Sequence, residues 1–431
     1  MLDIQIIRDN PDKIKKGVTD KNYDPALVDK VLELDGKKRE LLSQVEKLRA
    51  DRNTAAKNKD IESGKRLKVE LQKLEPELEK IDSEYFEILK KLPNPAADDV
   101  KIGKDDTENK VIRKWGEPTK FNFKPFDHVG IGEKLGLINI EKAGKITGTR
   151  FGYLMGEAVL IEYAIVQLVF ETLTNESTLR EIANKVEEGY NPKPFIPVVP
   201  PVMIKPEVFD RMGRLYPKEE RYYIPSDDVY LIGSAEHTLG PLHMDETLLE
   251  KDLPIRYIGF STAFRREAGS YGKDTKGILR VHQFDKLEME SFTTSENGQK
   301  EQYFIVAIQE YLMQKLNLPY QVVEICTGDM GGPDYRQMDI ETWLPGQDKY
   351  RETHTSDYMT DYQSRRLNTK VRKGDKTEFV YMNDATAFAI GRIVIAILEN
   401  YQNEDGSVTV PEVLRKWIGK EKIEVRKQDS L

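Results

Sequence analysis

Two short runs of this chain carry residue types suited to a charged, planar ligand: Phe264-Arg265-Arg266-Glu267, and Arg280-Val281-His282-Gln283-Phe284-Asp285-Lys286-Leu287-Glu288. A guanidinium takes two oxygens of a carboxylate or phosphate at once. An aromatic ring adds a stacking surface, and a carboxylate accepts hydrogen bonds from amines. Ile255 to Phe264 and Ile278 to Glu288 are rich in β-branched and aromatic residues and read as two strands, with a charged, Gly-rich loop between them. In the second strand Arg280, His282, Phe284, Lys286 and Glu288 fall on one face, because side chains alternate along a strand. Such a face makes a poor core and a good floor for a polar site. Most charged alternating strands are plain solvated faces, so the hairpin alone leaves both readings open.

The rest of the chain bounds the choice. Its 431 residues predict two or three domains, and 39% hydrophobic residues suffice for a substantial core. No apolar run approaches the length of about 18 residues that a membrane span needs. Met1-Leu2-Asp3-Ile4 opens no basic and then apolar leader, so no secretory signal is expected. Cys326 is the single cysteine, which excludes a disulfide within the chain and a Cys-based zinc site. The histidines at 128, 237, 243, 282 and 354 show no metal-ligand spacing, so no zinc is expected, and a reducing cytoplasm fits. A net charge of −8 argues against blanket nucleic-acid affinity but leaves a local basic track open.

The elements that must position the two runs fall into zones. Residues 1 to about 27 are a short mixed segment. Leu67, Leu71, Leu74, Leu78, Ile81, Tyr85, Ile88 and Leu92 are spaced alternately four and three apart, a sustained heptad seam. Val31, Leu34, Leu41, Val45 and Leu48 form a looser seam upstream, with Lys38 at one core position. Each seam needs a partner, so the spacing predicts an antiparallel helical hairpin over about 28–92, turning near Asn58-Lys59-Asp60. Pro76 lies off the seam and should kink its helix without ending it. Basic residues from Lys37 to Lys73 gather toward the distal half, where they suit an RNA backbone; a solvated coiled coil is the plainer alternative. Pro93-Asn94-Pro95 ends the hairpin, residues 96–107 read as an acidic linker, and a mixed strand and helix body follows from about 112.

Several runs together resemble bacterial seryl-tRNA synthetases: Met1-Leu2-Asp3-Ile4 with Ile7-Arg8-Asp9-Asn10-Pro11, the helical hairpin, Val111-Ile112-Arg113-Lys114-Trp115-Gly116-Glu117-Pro118, and Gly132-Glu133-Lys134-Leu135-Gly136-Leu137-Ile138. The two opening runs match as well, as do Ala389-Ile390-Gly391-Arg392 and Ile397-Leu398-Glu399-Asn400-Tyr401-Gln402. The resemblance implies an α+β fold: a class II synthetase catalytic domain with an antiparallel sheet over 111–431, preceded by a tRNA-binding domain with the helical hairpin over 1–110. It further implies a homodimer, ATP and L-serine as substrates, Mg²⁺ with the ATP, and serine tRNA held by the hairpin and by the loop 269–277. Selenocysteine tRNA is a second acceptor that the resemblance allows.

The same resemblance implies roles by motif position. Arg265 lies between the serine carboxylate and the α-phosphate, with Arg266 beside it. Glu267 accepts from the adenine amino group, the Val281 backbone reads an adenine edge, and Phe284 and Arg392 sandwich the base. Glu352, Thr353, His354 and Thr355 form the run that meets the phosphates, with Glu352 and Thr355 on Mg²⁺. Ser234-Ala235-Glu236 meets the amino acid, Glu236 taking its ammonium, while Glu288 and Thr386 close on its hydroxyl.

Some positions depart from the family pattern. Ser234 stands where Thr is usual, His237 where an apolar residue is common, and Asp384 where Asn is usual; a shifted loop would instead bring Asn383 into use. Residues 174–194 read as a longer surface insertion. Two other functions are weighed against serine charging. A ligase loading a carrier protein would lack the hairpin, and a catalytically silent RNA-binding relative has no reason to keep Arg265, Glu267, Glu288, Glu352 and Arg392.

Overall fold

The structure, a computed structural model, describes residues 1–268 and 276–425. The predicted hairpin is present as the helices Ala26–Lys57 and Ile61–Leu89, which turn at residues 58–60. Lys59 adopts φ 56°, and Asp60 caps the returning helix by accepting from the Ser63 N–H. Seam residues Leu67, Leu71, Tyr85 and Val45 are buried. Lys38, the polar intruder, is accommodated by Asp82 at 2.5 Å and by the rings of Tyr85 and Phe86, whose centroids lie 4.6 and 4.7 Å from its Nζ. Pro76 sits within the second helix on its exposed side, and the helix continues past it to Leu89. At the base, the helices Ile4–Asp9 and Pro11–Asp20 pack against the hairpin through Ile7, Ile14, Val18, Val28, Val31 and Leu34.

The acidic stretch after the hairpin is an ordered strap rather than a loose linker. Ala97 and Val100 pack against Val323, Ile325 and Met330, and the Asn94 side-chain amide donates to the Pro333 and Met359 carbonyls, both at 3.0 Å. Its apolar residues, sparse as they are, bury against the sheet.

That sheet has eight strands: β1 (Lys110–Trp115), β2 (Ile196–Val198), β3 (Ile255–Phe264), β4 (Gln283–Thr293), β5 (Tyr320–Glu324), β6 (Arg336–Leu344), β7 (Lys349–Thr360) and β8 (Tyr381–Ala389). Their spatial order is β1-β5-β6-β7-β8-β4-β3-β2, antiparallel throughout except for β2 alongside β3. The helices Glu157–Leu173, Gly298–Lys315 and Ile390–Asn400 cover one face and form the main core with it. Alternation then decides which strand residues reach the other face. Leu287 and Met289 join the core, so Lys286, Glu288 and Glu290 point away from it.

Two expectations about local structure are corrected. The second strand begins at Gln283, because 278–281 turns across the end of the sheet: the Ile278 N–H donates to His128 Nε2 at 3.4 Å and the His282 N–H to the Arg150 carbonyl at 3.0 Å. Residues 174–194 are no surface insertion either. They contain a helix, Glu176–Val186, whose Leu179, Ile182 and Ala183 are buried in the main core.

Candidate active site

The cleft lies over the uncovered face of the sheet, where β3, β4, β7 and β8 meet the start of the helix Ile390–Asn400. Arg265, Glu267, Val281, Phe284, Lys286, Glu352, Thr353, Thr355, Thr386 and Arg392 line it. Residues from four separate sequence regions thus converge, most of them positions that motif order singled out.

At one end, cations and an aromatic ring dominate. The Arg265 guanidinium stands 5.4 Å from the Phe284 ring centroid, and its Nε donates to the Gly233 carbonyl at 3.1 Å. Glu267 adopts φ 51°, a left-handed conformation that non-glycine residues adopt at a cost. Its carboxylate lies 3.5 Å from Arg280. Across the cleft, Arg392 Nη1 donates to the Glu352 carboxylate at 2.8 Å and to its carbonyl at 2.9 Å. Burial works against the Glu352 charge, but Arg392 outweighs it and keeps the carboxyl below its ordinary range.

At the other end, carboxylates converge. Strand register sets Glu288 opposite Thr386, and Glu290 opposite Asp384. The short helix beginning at Glu236 caps this end from above. Glu236, Glu288 and Asp384 each bring a carboxylate oxygen within 4.8 Å of the other two. Lys286 bridges the halves: its ammonium lies 2.6 Å from Glu288 Oε2 and donates to the Ser234 hydroxyl at 3.2 Å. Burial pushes the Glu288 carboxyl up to about 7. The Glu236 carboxyl is held well below its ordinary value; burial opposes this, and Arg214, His237 and Lys286 more than offset it. Ala235 packs its methyl over Gly259.

Not every residue named from the sequence reaches the cleft. Arg266 turns outward to the Tyr222 ring, 5.4 Å from its centroid. His354 points to the covered face, where it packs on Phe388 at 5.2 Å, and burial lowers its imidazole to about 3. Thr353 does line the cleft, but its hydroxyl is taken up by Thr342 at 2.7 Å. Asn383 is turned away as well, its amide donating to the Gly298 carbonyl at 3.2 Å, so position 384 and not 383 faces the carboxylate cluster. Of the loop 269–277, residues 269–275 lie outside the described residues.

Sequence reasoning missed Arg214, Glu290, Asp334 and Asp357, which surround the carboxylate end. Glu290 was within reach, since it follows Glu288 by one period of the strand. The other three sit in separate loops and strands, and only tertiary register assembles them.

The comparisons agree with this geometry. Residues 1–96 match the Seryl-tRNA synthetase N-terminal domain family, and residues 221–401 match the tRNA synthetase class II core domain (G, H, P, S and T). The chain is 39% identical over 442 residues to the serine–tRNA ligase of Dictyoglomus turgidum, covering 99% of this chain and all of that one. To that of Thermobifida fusca it is 37% identical over 98% of both. Among solved structures, seryl-tRNA synthetase from Pyrococcus horikoshii, complexed with ATP, superimposes with a TM-score of 0.90 at 34% identity, over 99% of this chain and 100% of that one. The cytoplasmic enzyme of Naegleria fowleri, in complex with AMP, gives 0.87 at 29%, over 99% of both. Hairpin, antiparallel sheet and cleft therefore belong together, and the chain is a member of the seryl-tRNA synthetase family.

Proposed function

We propose that the chain activates L-serine with ATP and transfers it to the terminal ribose of serine tRNA. The observation that carries this is the two-ended cleft: a cationic, aromatic end and a carboxylate end share one floor, with Lys286 and Thr386 between them. A nucleotide needs the first end, and an amino acid's ammonium needs the second.

In the first step a serine carboxylate oxygen attacks the α-phosphorus, and the bond to the bridging oxygen breaks to release pyrophosphate. Alignment and charge stabilisation suffice for such a displacement. Arg265 spans the two reacting groups and offsets the charge that builds on the phosphoryl oxygens. Phe284 and Arg392 hold adenine between them, Glu267 accepts from its amino group, and the Val281 backbone meets its edge. Glu236 takes the serine ammonium, with Ser234 and Ala235 shaping that wall. Glu288 and Thr386 bond the hydroxyl, and alanine, which lacks it, leaves buried polar atoms unpaired at a penalty of about 10⁴-fold. In the second step the tRNA ribose hydroxyl attacks the adenylate's carbonyl carbon, releasing AMP and a proton.

Glu352 and Thr355 offer hard oxygen donors at the cleft rim, with the Asp339 carboxyl close enough that Glu352 pushes it upward after burial does. This donor set fits Mg²⁺, and Glu352 and Thr355 would hold it. Bound there, Mg²⁺ supplies neutralisation of phosphate charge.

The hairpin presents its basic distal half to the tRNA, and we divide the chain accordingly into 1–110 and 111–431. Ile146, Tyr153, Met155, Leu160 and Tyr163 are exposed along one run of the body and supply an apolar face for a second copy. Sedimentation at twice 49.7 kDa is the expected result, and the single-chain mass the contrary one. Serine-dependent ATP–pyrophosphate exchange tests the activity itself; exchange that ignores serine would overturn it.

A further inference from the structure

Arg214, on the loop after the helix Pro206–Arg211, lies half-buried beside the carboxylate end of the cleft, its side chain 15% exposed. Its Nε lies 3.0 Å from Glu236 Oε1, and its Nη2 lies 3.2 Å from both Asp384 Oδ2 and Asp357 Oδ2 and 3.6 Å from Asp334 Oδ1. Asp384 is fully buried. Arg214 occupies one of its oxygens, while Oδ1 has no hydrogen-bond partner among the described residues. Glu288 Oε1 is likewise without one. Glu236, Glu288 and Asp384 thus converge on a small space, and the cation on the far side fixes two of the three. An ammonium carries three N–H donors, and Glu236 and Asp384 can accept one each while Glu288 is kept for the hydroxyl.

We infer that Asp384 is a selectivity-determining acceptor for the substrate's ammonium and that Arg214 is its positioning residue, the two forming a charge-compensated pair. The inference rests on the serine-activating function proposed above. Arg214 engages one edge of Asp384 and of Glu236, which turns their remaining oxygens toward the substrate. Four carboxyl groups surround one guanidinium; burial pushes those of Asp357, Asp334 and Asp384 above their ordinary range while Arg214 opposes the rise, and the charged Glu236 leaves no surplus of positive charge to repel an ammonium. Burial and the neighbouring Glu236 and Glu288 hold the Glu290 carboxyl well above its ordinary range, so this fifth carboxyl need not add its charge. Removing either partner alone breaks the balance. Asp384→Asn keeps an acceptor oxygen but lets an amide N–H face the incoming ammonium and removes the carboxylate edge that Arg214 engages. Arg214→Gln leaves Asp384, Asp357, Asp334 and Glu236 without their common cation, and breaking one member of a buried charged set is costly.

The test is a double-mutant cycle on the full chain, read as the KM for serine and the KM for ATP in pyrophosphate exchange. Each single variant should raise the serine KM about tenfold or more and leave the ATP KM nearly unchanged, and the double variant should lose less than the product of the two single losses. A purely structural role for Arg214 would move both constants together. An unchanged serine KM in Asp384→Asn, or effects that simply multiply in the double variant, would overturn the inference. Should Arg214→Gln fail to fold, Arg214→Lys, which keeps the common cation, takes its place in the cycle, and effects that simply multiply there overturn the inference. The unmodified chain separates the two proposals. If it exchanges with a different amino acid, serine activation fails, and the cycle is read with the KM of that amino acid.

Discussion

At the scale of single residues, the cleft concentrates groups whose charge is set by their surroundings. In the proposed reaction Arg265 acts on both reacting groups, so Arg265→Ala should reduce serine-dependent exchange by about 10²- to 10³-fold, the usual cost of losing a donor aimed at developing charge. Activity near that of the unmodified protein would remove Arg265 from the reaction. Glu288 makes a second prediction. Its folded carboxyl, raised by burial to about 7, lies above the value of about 4.3 expected of an unfolded chain. The protonated form is therefore the one the fold favours. Its stabilising contribution is complete below about pH 4.3 and is lost as pH rises through about 7. Glu288→Gln should gain melting temperature relative to the unmodified protein between pH 6 and pH 8, without serine present. A difference that stays constant across that range would mean Glu288 is not shifted. Motif order made Arg265, Glu267, Phe284, Glu352 and Arg392 legible as a group, and all five line the cleft. Arg214 and Asp357 were not legible, because no local pattern marks a residue whose partners arrive from other loops and strands.

At the scale of elements, periodicity proved the strongest guide where a single face is buried. The heptad seams predicted two helices and their turn at 58–60, and Lys38 is accommodated within the seam. Alternation failed at 278–281, where the same β-rich composition serves a turn whose backbone bonds go to His128 and Arg150 instead of a neighbouring strand. The strap at 96–107 misled for the opposite reason, since acidic composition concealed two apolar residues that dock on the sheet. The structure also sharpens how the hairpin can be tested. Its base is part of the amino-terminal core through Val28, Val31, Leu34, Tyr85 and Leu89, so an excision should spare it. Replacing 41–79 with a short turn keeps that cluster and the Lys38–Asp82 pair. The shortened protein should keep serine-dependent exchange, while charging of serine tRNA should fall by about 10²-fold or more as the basic contacts are lost. Undiminished charging would show that the tRNA is held elsewhere.

At the scale of the whole molecule, the amino-terminal helices dock directly behind the carboxylate end of the cleft. The Lys21 ammonium, buried, donates to the carbonyls of Gly331 at 2.7 Å and Asp334 at 2.6 Å, and Asp334 belongs to the ring around Arg214. Lys90, at the end of the hairpin, pairs with Asp210 at 2.8 Å, on the helix that leads to Arg214. The Tyr362 hydroxyl donates to the Leu92 carbonyl at 2.6 Å. None of the helices among the described residues is long and apolar enough to cross a membrane. Hairpin, strap and catalytic body thus meet at one polar junction, and the carboxylate end of the cleft, the proposed amino-acid pocket, is its floor. What that pocket accepts is the central claim. The most direct measurement is ATP–pyrophosphate exchange by the full chain with each of the twenty amino acids in turn. Serine should support exchange at least about 10²-fold above glycine, alanine or threonine. Equal exchange with alanine, or faster exchange with any other amino acid, would contradict serine selection by the pocket that Glu236, Glu288, Asp384 and Thr386 enclose.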